Sequence, residues 1–322
     1  MPARYTALSH CIERREHVPL RRRQQGAALL LALFTVALAT MVASAITTDF
    51  GKAVDIVSGR HDLAQARLLA RGAIDWGCFI LAQDARNSTI DYAGELWTRR
   101  IPPTPVEEGE VAGELSDMSG RFDLNSLVSD KRLDRFQTTA YIRLLESLGI
   151  GTDQAVTLAQ ALARRIGAQE DSPDPDPDQN QSPQRLPANR YLVDVAELPL
   201  IPGYDAKITA LLAPYVAAFP DPALLNVNMA SAEVLAAMVP GLSRDTARVL
   251  VAQREAQPFR TIEEFMNTLP SGSRWAINGR ITVASRYFLA SGRARFGEST
   301  VQVEALLDRK NPWPTILWQK LL

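Results

Sequence analysis

The sequence is poor in the side chains from which most active sites are built. Among 322 residues there are two cysteines, Cys11 and Cys78, and three histidines, His10, His17 and His61. Cys11, His10 and His17 all fall within the first 26 residues. If that stretch is removed on maturation, no internal disulfide can form and His61 is the one histidine left. A zinc site built on Cys and His, or a Ser-His-Asp triad, then has almost nothing to draw on. No nucleotide-binding loop or metal-ligand spacing stands out, so no enzymatic activity is expected. Strong charge is missing as well: the net value is −1. The first 26 residues carry six arginines against two glutamates, about +4, which leaves about −5 for the rest. That balance is a poor footprint for a nucleic-acid binder.

Charge and proline are both absent where a long helix would need them to be. Ala27 to Ile46 is a run of 20 residues without a charge, enough for a helix to span a hydrocarbon core of about 30 Å. The apolar region of an ordinary signal peptide is shorter, although Ala43-Ser44-Ala45 offers the small-x-small pattern of such a cleavage site. Arginines precede the run, which by the positive-inside rule puts the rest of the chain on the side away from the cytoplasm. No proline occurs between Ala27 and Ile101. Phe50, Val54, Val57, His61, Ala64 and Leu68 follow helical spacing, which predicts one helix from about Ala27 to about Gln83 with its later half laid on a domain along that stripe. His61 is then a packed or rim residue. Cys78, between Trp76 and the pair Phe79-Ile80, reads as a buried structural thiol.

Beyond the helix the pattern turns mixed. Short strands are predicted at Val111–Asp117 and Arg121–Asn125, joined by "MSG". A hairpin is predicted within "SRYFLASGRARFGESTVQVEALLDR", turning at Gly297 to Ser299, and a last edge strand in "WPTILWQK". Between these lies a helical insertion. "RFQTTAYIRLLESLGIGTDQAVTLAQALARRI" reads as helix, glycine turn, helix, and "NVNMASAEVLAAMVPGLSRDTARVLVAQREAQPFRTIEEF" as two helices joined at "VPGLS" with a third opening. "SPDPDPDQNQSP" forms neither helix nor interior strand.

The second helical run resembles helix-hairpin-helix modules, which makes a membrane-anchored periplasmic DNA-binding or uptake protein the alternative function. DNA-gripping hairpins usually carry two glycines so that backbone amides reach a phosphate. Here the turn is Gly241-Leu242-Ser243, and Asn226 to Pro270 is net acidic. The first hairpin does have Gly149 and Gly151.

"RRRQQG" followed by "AALLL" resembles the class III leader of type IV pilins and type II secretion pseudopilins. That resemblance implies cleavage by prepilin peptidase between Gly26 and Ala27, with N-methylation of Ala27. Most of these proteins carry Glu at mature position five, where a carboxylate meets a neighbouring subunit's amine; here that position is Leu31. A subunit without the acid can offer its own amine to the subunit below but cannot receive one from above, which implies a tip position. The order of "GRFDLNSL", "LPANRYLVDVAELPLIPG", "LNVNMASAEVLAAMVPGLS" and "SRYFLASGRARF" further resembles the family of minor pseudopilin K of type II secretion (general secretion pathway protein K).

What this family implies is an α+β fold: a pilin-like N-terminal helix on an antiparallel sheet, enlarged by a SAM-like helical insertion. The implied organisation is a leader at 1–26, a transmembrane helix at 27–46, a first pilin-like part at 47–130, the insertion at 131–284 with its Pro/Asp loop at 169–187, and a last pilin-like part at 285–322. The implied role is a non-enzymatic subunit at the pseudopilus tip that initiates assembly and supports export. Implied partners are minor pseudopilins I, J and H, major pseudopilin G, prepilin peptidase, the secretin and exported proteins; implied location is the inner membrane, single-pass, with the C-terminal domain in the periplasm. Some members bind calcium (Ca2+), for which Glu170, Asp171, Asp174, Asp176 and Asp178 supply hard oxygen ligands. The intervening prolines favour a solvated loop instead, and the family's tryptophan with spaced aspartates is replaced here by "ARRIGAQEDSPDPDPD".

Overall fold

The computed structural model describes residues 24–167 and 190–322. They form two units, residues 1–61 and 62–322. Within the first unit the described residues are all helical, and residues 26–61 are exposed. They belong to α1 (Gln24–Asn87), which starts three residues before and ends four residues after the predicted limits. Thr35, Thr40, Thr47 and Thr48 turn their hydroxyls back onto helix carbonyls three or four residues earlier, so these polar groups are satisfied within the helix.

In the second unit, the end of α1 lies on a five-stranded antiparallel sheet. Its strands are β1 (Ile101–Val106), β2 (Gly109–Asp117), β9 (Tyr287–Phe296), β10 (Ser299–Asp308) and β11 (Thr315–Leu321), in that spatial order. The β9–β10 hairpin turns through Gly297 and Glu298, with Phe296 opposite Ser299. Val301 and Val303 point inward as their alternation predicts, and β11 is an edge. The predicted stripe along α1 is corrected. Phe50, Val54, Val57, His61, Ala64 and Leu68 are exposed, whereas Ala66, Ala70, Ile74, Cys78 and Leu81 form the buried face. That face is narrow because the sheet comes very close: a Cβ on Gly292 would stand 2.6 Å from the Ala70 carbonyl oxygen.

The chain leaves the sheet after β2 and returns at β9, and these strands are neighbours, with Asp117 opposite Phe288. A large helical body can therefore be inserted without interrupting the ladder. The two strands predicted at Val111–Asp117 and Arg121–Asn125 do not pair with each other. β2 pairs with β1 and β9, and the second segment is β3 (Phe122–Asp123) running into a 3-10 turn at Leu124–Leu127. Two-residue ladders follow: β4 (Val128–Ser129) with β5 (Arg132–Leu133), β3 with β6 (Val216–Ala217), and β7 (Leu225–Asn226) with β8 (Ile281–Thr282).

The helices of the insertion are α2 (Arg135–Ser147), α3 (Thr152–Ile166), α4 (Ala206–Leu212), α5 (Ala232–Met238), α6 (Arg244–Ala256), α7 (Ile262–Asn267) and α8 (Ser271–Ile277). Side-chain oxygens of Asp134, Asp205, Ser231, Ser243 and Thr261 cap α2, α4, α5, α6 and α7. Their core gathers Phe122, Tyr141, Leu144, Leu145, Leu158 and Leu162 with Leu235, Met238 and Phe265. Tyr141 and Tyr204 share a hydroxyl hydrogen bond of 2.9 Å inside it.

Candidate functional site

The conspicuous motifs of the insertion are joints. In "FDLNSL" the buried Asn125 amide donates to the carbonyls of Leu192 and Phe219, and its oxygen accepts from the Leu192 N–H. In "LNVN" Asn226 Nδ2 donates to the Asp91 carbonyl and Ser285 Oγ, while Asn228 exchanges two hydrogen bonds with the Phe259 backbone. Each amide satisfies backbone groups in segments that lack regular partners, which is the chief use of a buried asparagine.

A second polar knot was not foreseen from the sequence. Asp84 at the end of α1, Asp91 and Glu95 in the loop after it, and Arg309 just past β10 come together. Arg309 donates from Nη1 to Asp84 Oδ2 at 2.9 Å and from Nη2 to Asp91 Oδ2 at 2.5 Å, and its guanidinium lies 4.6 Å over the Phe288 ring. Asp91 Oδ2 also accepts from the Ser285 N–H at 2.6 Å. Glu95 Oε2 accepts from Trp97 Nε1 at 2.8 Å and from the Tyr92 N–H at 3.1 Å. Burial and then the neighbouring carboxylates push Asp84 up to about 6, against the lowering pull of Arg309. Burial raises Glu95 as well, though bonds from Trp97 and Tyr92 oppose it. The knot ties the stem, its following loop, the exit of the insertion and the sheet into one place. Asp84, "DYAGELW" and "LDR" carry it in the sequence, and nothing local pairs them.

Gly26, Ala27 and Leu31 all lie on α1, and all three are exposed. Glu170, Asp171, Asp174, Asp176 and Asp178 lie outside the described residues. Cys78 is 2% exposed, as expected, and burial pushes its thiol up to about 11, the opposite of a reactive cysteine.

The helix-hairpin-helix alternative finds no support. The α5–α6 turn uses Gly241 at φ +78°, but its arginines are engaged. Arg244 pairs with Glu233 and Arg248 with Asp245, while buried Arg254 donates to the Val227 carbonyl. Gly149, at φ +91°, ends α2, where the Ile150 N–H returns to the Leu145 carbonyl. A phosphate would find neither free guanidinium groups nor a second open glycine on the α5–α6 turn.

An N-terminal helix long and apolar enough to cross a membrane, continued onto an antiparallel sheet, defines a pilin-like subunit, and a helical body inserted between two adjacent strands distinguishes it within that class. Residues 120–221 and 225–284 match two sequence profiles, both described as type II secretion system (T2SS), protein K. The chain is 30% identical over 302 residues to type II secretion system protein K of Pseudomonas aeruginosa PAO1, covering 90% of each chain. It is 29% identical over 309 residues to the protein K of Pectobacterium carotovorum subsp. carotovorum, covering 89% of this chain and 93% of the relative. A chain in the crystal structure of the GspK-GspI-GspJ complex from enterotoxigenic Escherichia coli superposes with a TM-score of 0.70 at 21% identity, covering 83% of this chain and 99% of that one. The chain belongs to the type II secretion system protein K family, and so it is a minor pseudopilin of type II secretion.

Proposed function

We propose that the protein caps the periplasmic pseudopilus, starts its assembly and supports export, acting as a structural part without enzymatic activity. Prepilin peptidase cuts between Gly26 and Ala27 and Ala27 is N-methylated. The helix that follows holds the subunit in the inner membrane with its C-terminal domain in the periplasm. The observation that carries the tip placement is where the insertion is attached. In the second unit the β9–β10 turn at Gly297 lies beside Asp62, and the other end of β10 lies beside Asp84 through Arg309. Both ends of the insertion, Asp117 and Tyr287, belong to that Asp84 end. Its bulk thus stands at the end of the stem where the next subunit of a shaft would have to stack.

Leu31 supports the same placement, because it offers no carboxylate to the amine of a subunit above. The solved complex is a GspK, GspI and GspJ assembly, so minor pseudopilins I and J are the first partners proposed, with H and the major pseudopilin G below and the secretin and exported proteins ahead. A SAM-like kinship of the insertion, and calcium held by Glu170, Asp171, Asp174, Asp176 and Asp178, belong to the same proposal.

N-terminal sequencing of protein from membranes with and without prepilin peptidase tests the processing: Ala27 is expected first only with the peptidase, and a start after Ala45 would replace this account with ordinary secretion. Disulfide trapping tests the placement. Cysteines on the insertion are expected to capture no pseudopilin G above the subunit, and their capture there would remove the tip reading. Leu31→Glu, by restoring the acid, is expected to let the subunit enter the shaft wherever its insertion does not block stacking.

A further inference from the structure

We propose that Asp84, Asp91 and Glu95 form a binding site for a hard divalent cation at the end of the stem helix. One carboxylate oxygen from each residue lies within 4.8 Å of the other two. Two oxygens bound to one calcium ion at about 2.4 Å can be no more than about 4.8 Å apart, and each pair of the three meets that limit. Proximity alone would be weak support, since acidic groups often gather without a metal. The independent observation is Asp91 Oδ1: it has no hydrogen-bond partner although its side chain is 2% exposed. Leaving one oxygen of a buried carboxylate without a partner is costly, and a cation is a partner that removes the cost.

Charge counting points the same way. Among the described residues Arg309 is the one cation paired within the knot, and it serves Asp84 and Asp91 and not Glu95. Three carboxylates facing one guanidinium leave two negative charges, which a divalent ion neutralises. The donors are all carboxylate oxygens, which suits calcium or magnesium and not a thiolate- or imidazole-seeking metal. Water would complete the six to eight ligands calcium takes.

Occupancy would fasten the loop carrying Asp91 and Glu95 onto α1. Through Glu95 it would hold Trp97, which packs edge-on against Phe288 at 5.2 Å. Through Asp91 it would hold Ser285 at the exit of the insertion. The ion would thereby stiffen the joint between stem and head. The site is separate from the loop at Glu170 to Asp178 and does not depend on ions binding there.

The test uses the full chain, purified in detergent, with Glu170→Gln, Asp171→Asn, Asp174→Asn, Asp176→Asn and Asp178→Asn combined, so that the loop cannot contribute. Terbium is titrated while tryptophan is excited, and calcium and magnesium are then added as competitors. Sensitised emission that saturates at one ion per chain and is displaced by calcium is expected. Glu95→Gln, checked for fold by circular dichroism, is expected to weaken terbium binding by at least about tenfold. Trp97→Phe is expected to lose most of the emission while calcium still raises Tm. If Glu95→Gln does not fold, Asp84→Asn takes its place, and the parent titration stands without either variant. Binding as tight in Glu95→Gln or Asp84→Asn as in the parent would overturn the proposal. So would emission unchanged by Trp97→Phe, or a parent that shows neither saturable emission nor a rise in Tm with calcium or magnesium.

Discussion

The two cores of this protein differ in how closely their backbones approach and in how much large apolar side chains contribute. Where α1 meets the sheet, Ala66, Ala70, Ala290, Ala294 and Ala305 let the backbones come close, among Ile74, Cys78, Leu81, Trp97, Phe288, Val301, Val303 and Leu307. In the insertion the core is Leu124, Leu127, Leu144, Leu145, Leu158 and Leu162 around Phe122 and Tyr141. The first interface gains stability from close backbone approach and has no room to grow. The second gains it from apolar area and has much to lose. The difference suits their roles, since a stem laid on a sheet must hold a fixed spacing while a helical head needs enough buried area to fold around irregular loops. A third, smaller cluster of Met118, Ala217, Phe219, Tyr287 and Leu306 joins them, with the Phe219 and Tyr287 rings stacked 4.2 Å apart.

The sharpest way to break the comparison is at the joint. Arg309→Ala leaves Asp84 and the buried Asp91 without their shared guanidinium, and removing one partner of a buried ion pair costs about 3–5 kcal/mol. Both cores should loosen together, seen as a single lowered transition in chemical denaturation. Two separate transitions would mean the knot does not couple them. Leu145→Ala comes next: its side chain is 0% exposed, and truncation should cost about 3 kcal/mol, with the loss of amide-exchange protection confined to α2, α3 and α5. Gly292→Ala addresses the other core. The added methyl would sit 2.6 Å from the Ala70 carbonyl oxygen and 3.0 Å from Ala73 Cβ, and overpacking there should cost about 2 kcal/mol, with protection lost along β9 and β10. An unchanged Tm for Gly292→Ala would show that the stem can shift and that the close approach is incidental.

The contrast between the cores also explains which parts of the fold were legible in the sequence. Large residues at helical spacing announce themselves, so α2, α3 and α5 to α7 could be read directly. The alternating valines of β10 were legible for the same reason. The stem's buried face was not, because Ala66 and Ala70 carry little hydrophobic signal, whereas exposed Phe50, Val54, Val57 and Leu68 carry much. β1 escaped notice because "IPPTPV" looks like loop; it survives as a strand because it is an edge, where missing N–H donors need no partner. Phe122 and Leu124 alternate with Asp123 and Asn125 in polarity but not in burial: all four are buried, with Asn125 holding backbone on two sides. The knot was the least legible part. Asp84 and Arg309 are 225 residues apart, and no spacing rule reaches across an inserted body.

The smallest predicted effect has the opposite sign from the others and probes the insertion where its apolar rule is relaxed. Asp123 is 6% exposed and accepts at Oδ1 from the N–H groups of Asn125 and Phe219, but its Oδ2 has no partner; nor does Gln137 Oε1, which lines the same small cavity. Burial pushes the Asp123 carboxyl up to about 7, although backbone N–H donors pull it back. Its folded value therefore lies above the unfolded carboxylate value of about 3.9, so the folded chain holds the proton more tightly. The group favours folding most at low pH, and that contribution is lost as pH rises from about 4 through about 7. Asp123→Asn keeps the Oδ1 acceptor, removes the buried charge and places an N–H donor where two acceptors now face one cavity. At pH 8 the variant should be about 1 kcal/mol more stable than the parent, and the advantage should vanish near pH 4. A variant less stable than the parent at pH 8 would show that the ionised carboxylate is matched there by a bound donor, and that this corner of the insertion is built for charge after all.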